Sequence, residues 1–107
     1  MTWHAVCPLH RLTGDRGVVA LVDGTQLALF RLDGIERVYA VANVDPFSGV
    51  GCISRGITGD VAGEPMVAAP VYKQRFSLAT GQCFDDPSVS IDVFDVRVEN
   101  DVVEVRM

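Results

Sequence analysis

The sequence predicts an all-β fold of small antiparallel sheets, a sandwich or barrel, and three observations carry that expectation. Short β-type apolar runs recur about every ten residues, no window holds a helical period of apolar positions, and Asp-Gly pairs at 23–24 and 33–34 separate three of the runs. In chain order, a first strand ends near Cys7. Val18 to Val22, Gln26 to Leu32 and Glu36 to Ala42 follow as a meander, because Asp-Gly readily adopts the positive φ angles of a two-residue hairpin turn. Residues 43–65 read as a long loop or loosely structured insertion. Gly49, Gly51, Gly56, Gly59 and Gly63 punctuate it and Pro46 and Pro65 bracket it, and a loop of that length in a compact domain is more often functional than not. Strands are expected again at Met66 to Ala68, Arg75 to Ala79, Ser90 to Val98 and Val102 to Arg106. In the region of the longest one, Val89, Ile91 and Val93 share one face and Phe94, Val96 and Val98 the other, which suggests a β-bulge near Val93. Asn100-Asp101 closes the last hairpin, since both residues tolerate left-handed geometry.

A chain of 107 residues makes one domain, 1–107, able to bury roughly 65% of its unfolded surface. Hydrophobic residues at 49% and charged residues at 21% are ordinary for a soluble globular protein. The net charge of -5 argues against nucleic acid or an anionic membrane as partner, because both need a positive face. No apolar run approaches the ~20 residues of a membrane span. Met1-Thr2-Trp3-His4 shows neither the basic n-region nor the apolar h-region of a secretion signal. Cys7, Cys52 and Cys83, odd in number and far apart, suit reduced thiols better than a disulfide framework. A cytoplasmic location is expected.

From Asn43 to Gly81 the chain holds an ordered set of short motifs. They are Asp45-Pro46-Phe47-Ser48-Gly49, Ser54-Arg55-Gly56, Gly63-Glu64-Pro65, and Pro70-Val71-Tyr72-Lys73-Gln74 followed by Phe76, Leu78, Thr80 and Gly81. This frame resembles a Rieske iron–sulfur domain. There, a Cys-x-His loop follows a strand, and a Gly-rich segment leads to Cys-Pro-x-His, then Phe, Leu and Thr-Gly. The positions that fall on the ligands are Asp45, Phe47, Ala69 and Tyr72, and none of them replaces the Cys and His pairs that such a cluster needs. With these motifs, and with Ala28-Leu29-Phe30-Arg31 and Val38-Tyr39-Ala40-Val41 upstream, nearly the whole chain resembles the small subunit of the cytoplasmic NAD(P)H-dependent nitrite reductase. The resemblance implies a Rieske-like fold whose two loops, around Asp45 and Tyr72, project side by side without a cluster. Phe47 and Tyr72 are then aromatic groups able to occupy the volume a cluster takes.

Other candidate chemistry is thin. His4-Ala5-Val6-Cys7-Pro8-Leu9-His10 contains zinc-type donors, but three are too few for a closed site, and on an extended strand Cys7 has parity opposite to both histidines. Cys7 reads instead as a small buried apolar residue. Cys52 lies in a Gly-rich setting, yet only Arg55 is near in sequence, and no His or Asp stands at a familiar spacing to activate a thiolate. Gly49-x-Gly51 lacks the following helix of a phosphate loop. Arg55, Lys73 and Arg75 are the positive charges near the two loops of an otherwise acidic chain. They are either solvated loop charges or, with Pro46, Phe47 and Tyr72, a contact surface of aromatic groups and cations, a mix favoured at protein interfaces. Asp85-Asp86-Pro87, Asp92, Asp95 and Glu99 read as turn and solvent-face residues.

The resemblance implies a small, non-redox accessory subunit of an oxidoreductase complex, with no catalytic residue, metal or cofactor of its own. Its partner would be a large subunit bearing FAD, iron–sulfur and sirohaem, which reduces nitrite to ammonium in nitrate and nitrite assimilation. Pro46, Phe47, Arg55, Tyr72, Lys73 and Arg75 are the candidate interface. Two other readings stay open: a Rieske-type ferredoxin that transfers electrons, for which the ligands are missing, and a stand-alone binding module.

Overall fold

The computed structural model of the protein describes residues 1–14, 16–32 and 37–107. Strands β1 (Trp3–Pro8), β2 (Val18–Val22), β3 (Thr25–Arg31), β4 (Val38–Ala42), β5 (Ile57–Val61), β6 (Glu64–Ala68), β7 (Arg75–Ser77), β8 (Val93–Glu99) and β9 (Val102–Arg106) follow in chain order, with short 3-10 turns at Leu9–Arg11 and Ile53–Arg55. Two antiparallel sheets result, one ordered β1-β9-β8-β4-β3-β2 and the other β5-β6-β7. The end strands β1 and β2 of the larger sheet lie next to each other, so that sheet curls into a nearly closed barrel.

The core divides in two, and the alternation of β3 and β4 explains why. Successive side chains of a strand point to opposite faces. Leu27 and Leu29 of β3, with Val38 and Ala40 of β4, enter the barrel interior beside Leu12, Val22, Val103 and Val105. Ala28, Phe30, Tyr39 and Val41 point the other way, into a second core closed by Ile53, Val67, Ala69, Phe76, Leu78, Cys83 and Ile91. Strands covered on both faces read as unbroken apolar runs, as Leu27-Ala28-Leu29-Phe30 and Val38-Tyr39-Ala40-Val41 do. The second core is the one that matters for the loops, because the smaller sheet is fastened to the barrel through it.

The hairpins follow local preference. Asp23 and Gly24 hold φ of 48° and 80° between β2 and β3, and Asn100 and Asp101 hold 52° and 63° between β8 and β9, the pairs of positive φ that a two-residue hairpin needs. The Asp33-Gly34 turn and the start of a strand at Glu36 lie outside the described residues.

Three local expectations are corrected. Residues 43–65 are not one loop: after the 3-10 turn at Ile53–Arg55 the chain forms β5, which pairs with β6 from Ile57↔Ala68 to Val61↔Glu64. Ile57-Thr58-Gly59-Asp60-Val61 lacks apolar alternation because β5 shows much of itself to solvent, Ile57 above all at 76%. No register shift marks β8 near Val93. Regular alternation there serves two cores in turn: Ile91 and Val89 face the second core, Phe94 and Val96 the barrel. The register shift falls instead in β1, between Ala5 and Cys7. It places both His4 and Cys7 opposite inward-facing valines (His4↔Val105, Cys7↔Val103) and cancels the parity argument that separated them.

Candidate functional site

Three turns around the second core share a backbone design. At residues 45–50 the N–H of Asp45 donates to the carbonyl of Val50 (2.9 Å), and that of Gly49 donates to the carbonyl of Asp45 (2.7 Å). At residues 69–74 Ala69 donates to Gln74 and Lys73 to Ala69, both at 2.9 Å. At residues 77–82 Ser77 donates to Gln82 and Gly81 to Ser77, at 2.9 and 2.8 Å. Each turn needs a left-handed residue at its fifth position: Gly49 (φ 74°), Lys73 (φ 62°) and Gly81 (φ 81°). Glycine does this without strain, whereas a lysine does not.

The first positions differ. The Asp45 carboxylate is fully buried and caps its own turn, accepting the Phe47 N–H at 2.9 Å and the Ser48 hydroxyl at 3.0 Å. Ser77, equally buried, accepts the N–H groups of Ala79 (3.2 Å) and Thr80 (3.1 Å) on its Oγ. Ala69 has only a methyl group, which accepts nothing. The fourth positions repeat the contrast: Ser48 Oγ accepts from Val50 N–H and Thr80 Oγ1 from Gln82 N–H, both at 3.2 Å, while Tyr72 stands 60% exposed.

The donor set does not fit an iron–sulfur cluster. Asp45 spends its carboxylate on the turn, the Phe47 ring packs on Phe76 with centroids 6.1 Å apart, and Ala69 belongs to the core. Phe47 therefore fills space as its sequence position implies, whereas Tyr72, read as a second filler, points to solvent. No group of three or more His, Cys, Asp or Glu among the described residues is placed to hold a metal ion. Cys52 is buried, and its thiol is pushed up by burial first and by the Asp45 charge second, against the opposing pull of Arg55 and Ser48. Such a thiol is a poor nucleophile at neutral pH. Cys7 is half-buried against the barrel core and is likewise raised by burial.

The candidate interface residues do not form one group. Pro46 and Lys73 are exposed on the first and second turns. Arg75 is clamped to Asp85, whose Oδ1 accepts from Nη2 at 2.9 Å and whose Oδ2 accepts the Arg75 backbone N–H at 2.8 Å. That contact holds the Asp85 carboxyl below its ordinary range and gives Asp85 a role beyond a turn. Arg55 lines a separate cleft with Arg11 and Arg16. Gln74 leaves its Oε1 buried and without a hydrogen-bond partner.

Sequence reasoning passed over Asn43, which is 1% exposed and ties the first turn to the barrel. Its Nδ2 donates to Gln26 Oε1 at 3.0 Å and its Oδ1 accepts the Ser54 N–H at 2.8 Å. The repeated five-residue spacing in Asp45-x-x-x-Gly49 and Ser77-x-x-x-Gly81 was a readable signal for the shared turn.

Comparison with known proteins bears on this arrangement. Residues 2–106 match the family model of the Rieske-like [2Fe-2S] domain. The nitrite reductase (NADH) small subunit of Salmonella typhimurium is 38% identical over 104 residues, 97% of this chain and 96% of that protein. A crystal structure described as the NADH-dependent nitrite reductase small subunit of Mycobacterium tuberculosis superposes with a TM-score of 0.93 at 48% identity, over 99% of this chain and 96% of the other. A nitrite reductase [NAD(P)H] large subunit from Klebsiella oxytoca also contains a similar segment, 39% identical over 103 residues, which is 96% of this chain but 11% of that protein.

Proposed function

The chain belongs to the Rieske-like [2Fe-2S] domain family and, within it, to the nitrite reductase small subunits, and from that premise we propose what it does. It is a non-redox accessory subunit of an NAD(P)H-dependent nitrite reductase. A single domain, 1–107, docks on a large catalytic subunit and supports reduction of nitrite to ammonium in nitrate and nitrite assimilation, in the cytoplasm. FAD, iron–sulfur and sirohaem belong to the large subunit, and this chain supplies no acid, base or nucleophile. The docking surface centres on Pro46, Phe47, Tyr72 and Lys73, with Arg75 toward its margin, while Arg55 belongs to a separate cleft.

One observation carries this reading. At the end where a Rieske domain holds its cluster, Asp45 and Phe47 seal the first turn, while the second presents Pro70, Val71, Tyr72 and Lys73 to solvent on a hydrogen-bonded backbone. An aromatic group beside a cation on a held loop suits protein binding. The Klebsiella oxytoca large subunit lends support, since a segment like this chain forms part of it. The ferredoxin reading loses ground for want of ligands.

Reconstitution with the large subunit tests the proposal. Tyr72→Ala with Lys73→Glu is expected to weaken association by roughly 30-fold, the equivalent of about 2 kcal/mol. Asp92→Ala with Glu99→Ala, on exposed positions, serves as control. Nitrite-dependent NAD(P)H oxidation should fall with the turn variant and recover when more of it is added. Normal binding with collapsed activity would place the chain in the electron path. If neither binding nor activity changes, the interface lies elsewhere.

A further inference from the structure

Arg11, Arg16 and Arg55 meet in an open cleft of about 500 Å³, together with Thr13, Gly17 and Ser54, and among the described residues no carboxylate lines it. Arg55 comes from a part of the chain distant from Arg11 and Arg16, and each of the three is held next to a fixed point. Arg11 ends a 3-10 turn beside Leu12, which is 1% exposed in the barrel core. Arg16 precedes Gly17, where a Cβ would meet the Ser54 carbonyl oxygen at 2.2 Å, so only glycine lets the two walls approach this closely. Arg55 ends the second 3-10 turn, and its N–H donates to the carbonyl of Cys52 at 2.9 Å. All three arginines are exposed.

The chain carries 14 carboxylates against 9 lysines and arginines. Arg75, Arg97 and Arg106 are each paired with a carboxylate. The three cleft arginines have no such partner among the described residues. Gathering like charges is unfavourable until opposite charge arrives. The guanidinium fork matches a carboxylate or phosphate with two parallel hydrogen bonds. A site for a small anion normally encloses most of its ligand. This cleft is open and its cations are exposed, which suits a segment whose remaining contacts lie outside it.

We propose that the cleft receives a carboxylate-rich segment of the large subunit, as an electrostatic contact separate from the Tyr72 turn. This rests on the partner reading above. Contacts of this kind chiefly speed association and make it sensitive to salt. The test measures association and dissociation rates of the full chain with the large subunit at low and at physiological salt. Arg11→Gln, Arg16→Gln and Arg55→Gln are made together and singly, and Arg37→Gln, on another face, is the control for lost charge. The triple variant is expected to associate about tenfold more slowly at low salt, with a flatter salt dependence and a nearly unchanged dissociation rate. Each single variant should show part of that effect, so the result stands even if the triple variant folds poorly. Unaltered rates and salt dependence in variants that fold would overturn the cleft assignment and leave the partner reading intact. Failure of the wild-type chain to bind the large subunit would overturn the partner reading itself. Saturable binding of pyrophosphate by the isolated wild-type chain, lost in the triple variant, would make the cleft a small-anion site and overturn the protein-segment assignment.

Discussion

The turns at 45–50 and 69–74 have the same backbone hydrogen bonds and opposite degrees of completion. In the first, Asp45 caps two donors, Ser48 caps a third, Gly49 takes the left-handed position without strain, and Phe47 packs on Phe76. In the second, Ala69 caps nothing, Lys73 occupies the left-handed position, Gln74 leaves an oxygen without a partner, and Tyr72 stands in solvent. External contacts hold the second turn instead. The Arg75–Asp85 pair clamps its exit, and Phe84 donates its N–H to the Arg75 carbonyl at 2.8 Å. The difference teaches that one scaffold can be finished internally at one turn and left unfinished at its neighbour, and an unfinished turn is a natural place for a partner to supply what is missing.

The largest effect on that contrast should come from Asp45→Ala. It strips a buried acceptor from the Phe47 N–H and the Ser48 hydroxyl, and urea unfolding should show a loss of about 2–3 kcal/mol. Asp45→Asn, which keeps an acceptor, should lose less. A loss no larger than that of an ordinary surface substitution would mean the first turn is not held from within.

Gly49→Ala comes next. A Cβ there meets nothing within 4 Å, so any loss reflects backbone strain alone, expected at about 1–2 kcal/mol for an L-residue at positive φ. Lys73→Gly should act in reverse, with a net gain of about 0.5 kcal/mol, because relief of strain is partly offset by the flexibility that glycine adds to the unfolded chain. Opposite signs for the two exchanges would confirm the shared geometry in solution.

Ala69→Ser sharpens the comparison further by giving the second turn the cap that Ser77 gives the third. The expected gain is about 0.5–1 kcal/mol, the net worth of an added hydrogen bond. A clear loss in the same urea titration would mean that the Val71 and Tyr72 amides are not aimed as their counterparts are.

Arg75→Gln should have the smallest effect, since both partners of the clamp are partly exposed and screened by salt. Its pH dependence is informative. The Asp85 carboxyl is held below its ordinary range when folded, so the stabilisation is present above the unfolded value of about 3.9 and disappears as pH falls through the folded one. Thermal melts of wild type and variant should therefore differ at neutral pH and converge in strong acid. A difference that persists there would assign the arginine's role to packing.

Much of the fold was legible in the sequence because it depends on what a residue prefers locally. Asp23-Gly24 and Asn100-Asp101 adopt the positive φ angles expected of them and set the ends of β2, β3, β8 and β9. The unbroken apolar runs of β3 and β4 reflect burial on both faces, and the frame from Asp45 to Gly81 already implied the Rieske-like family. Tertiary structure decided the rest. β5 has no apolar pattern of its own and exists because β6 offers it a hydrogen-bonding edge. Tyr72 faces solvent, whereas Phe47 packs against Phe76. Arg75 finds Asp85, and Arg55 finds Arg11 and Arg16, across separations that no local pattern spans. A turn is written in the φ preferences of two adjacent residues, whereas a meeting of distant charges follows only from how both cores bring the backbone past itself, as at Gly17 against the Ser54 carbonyl.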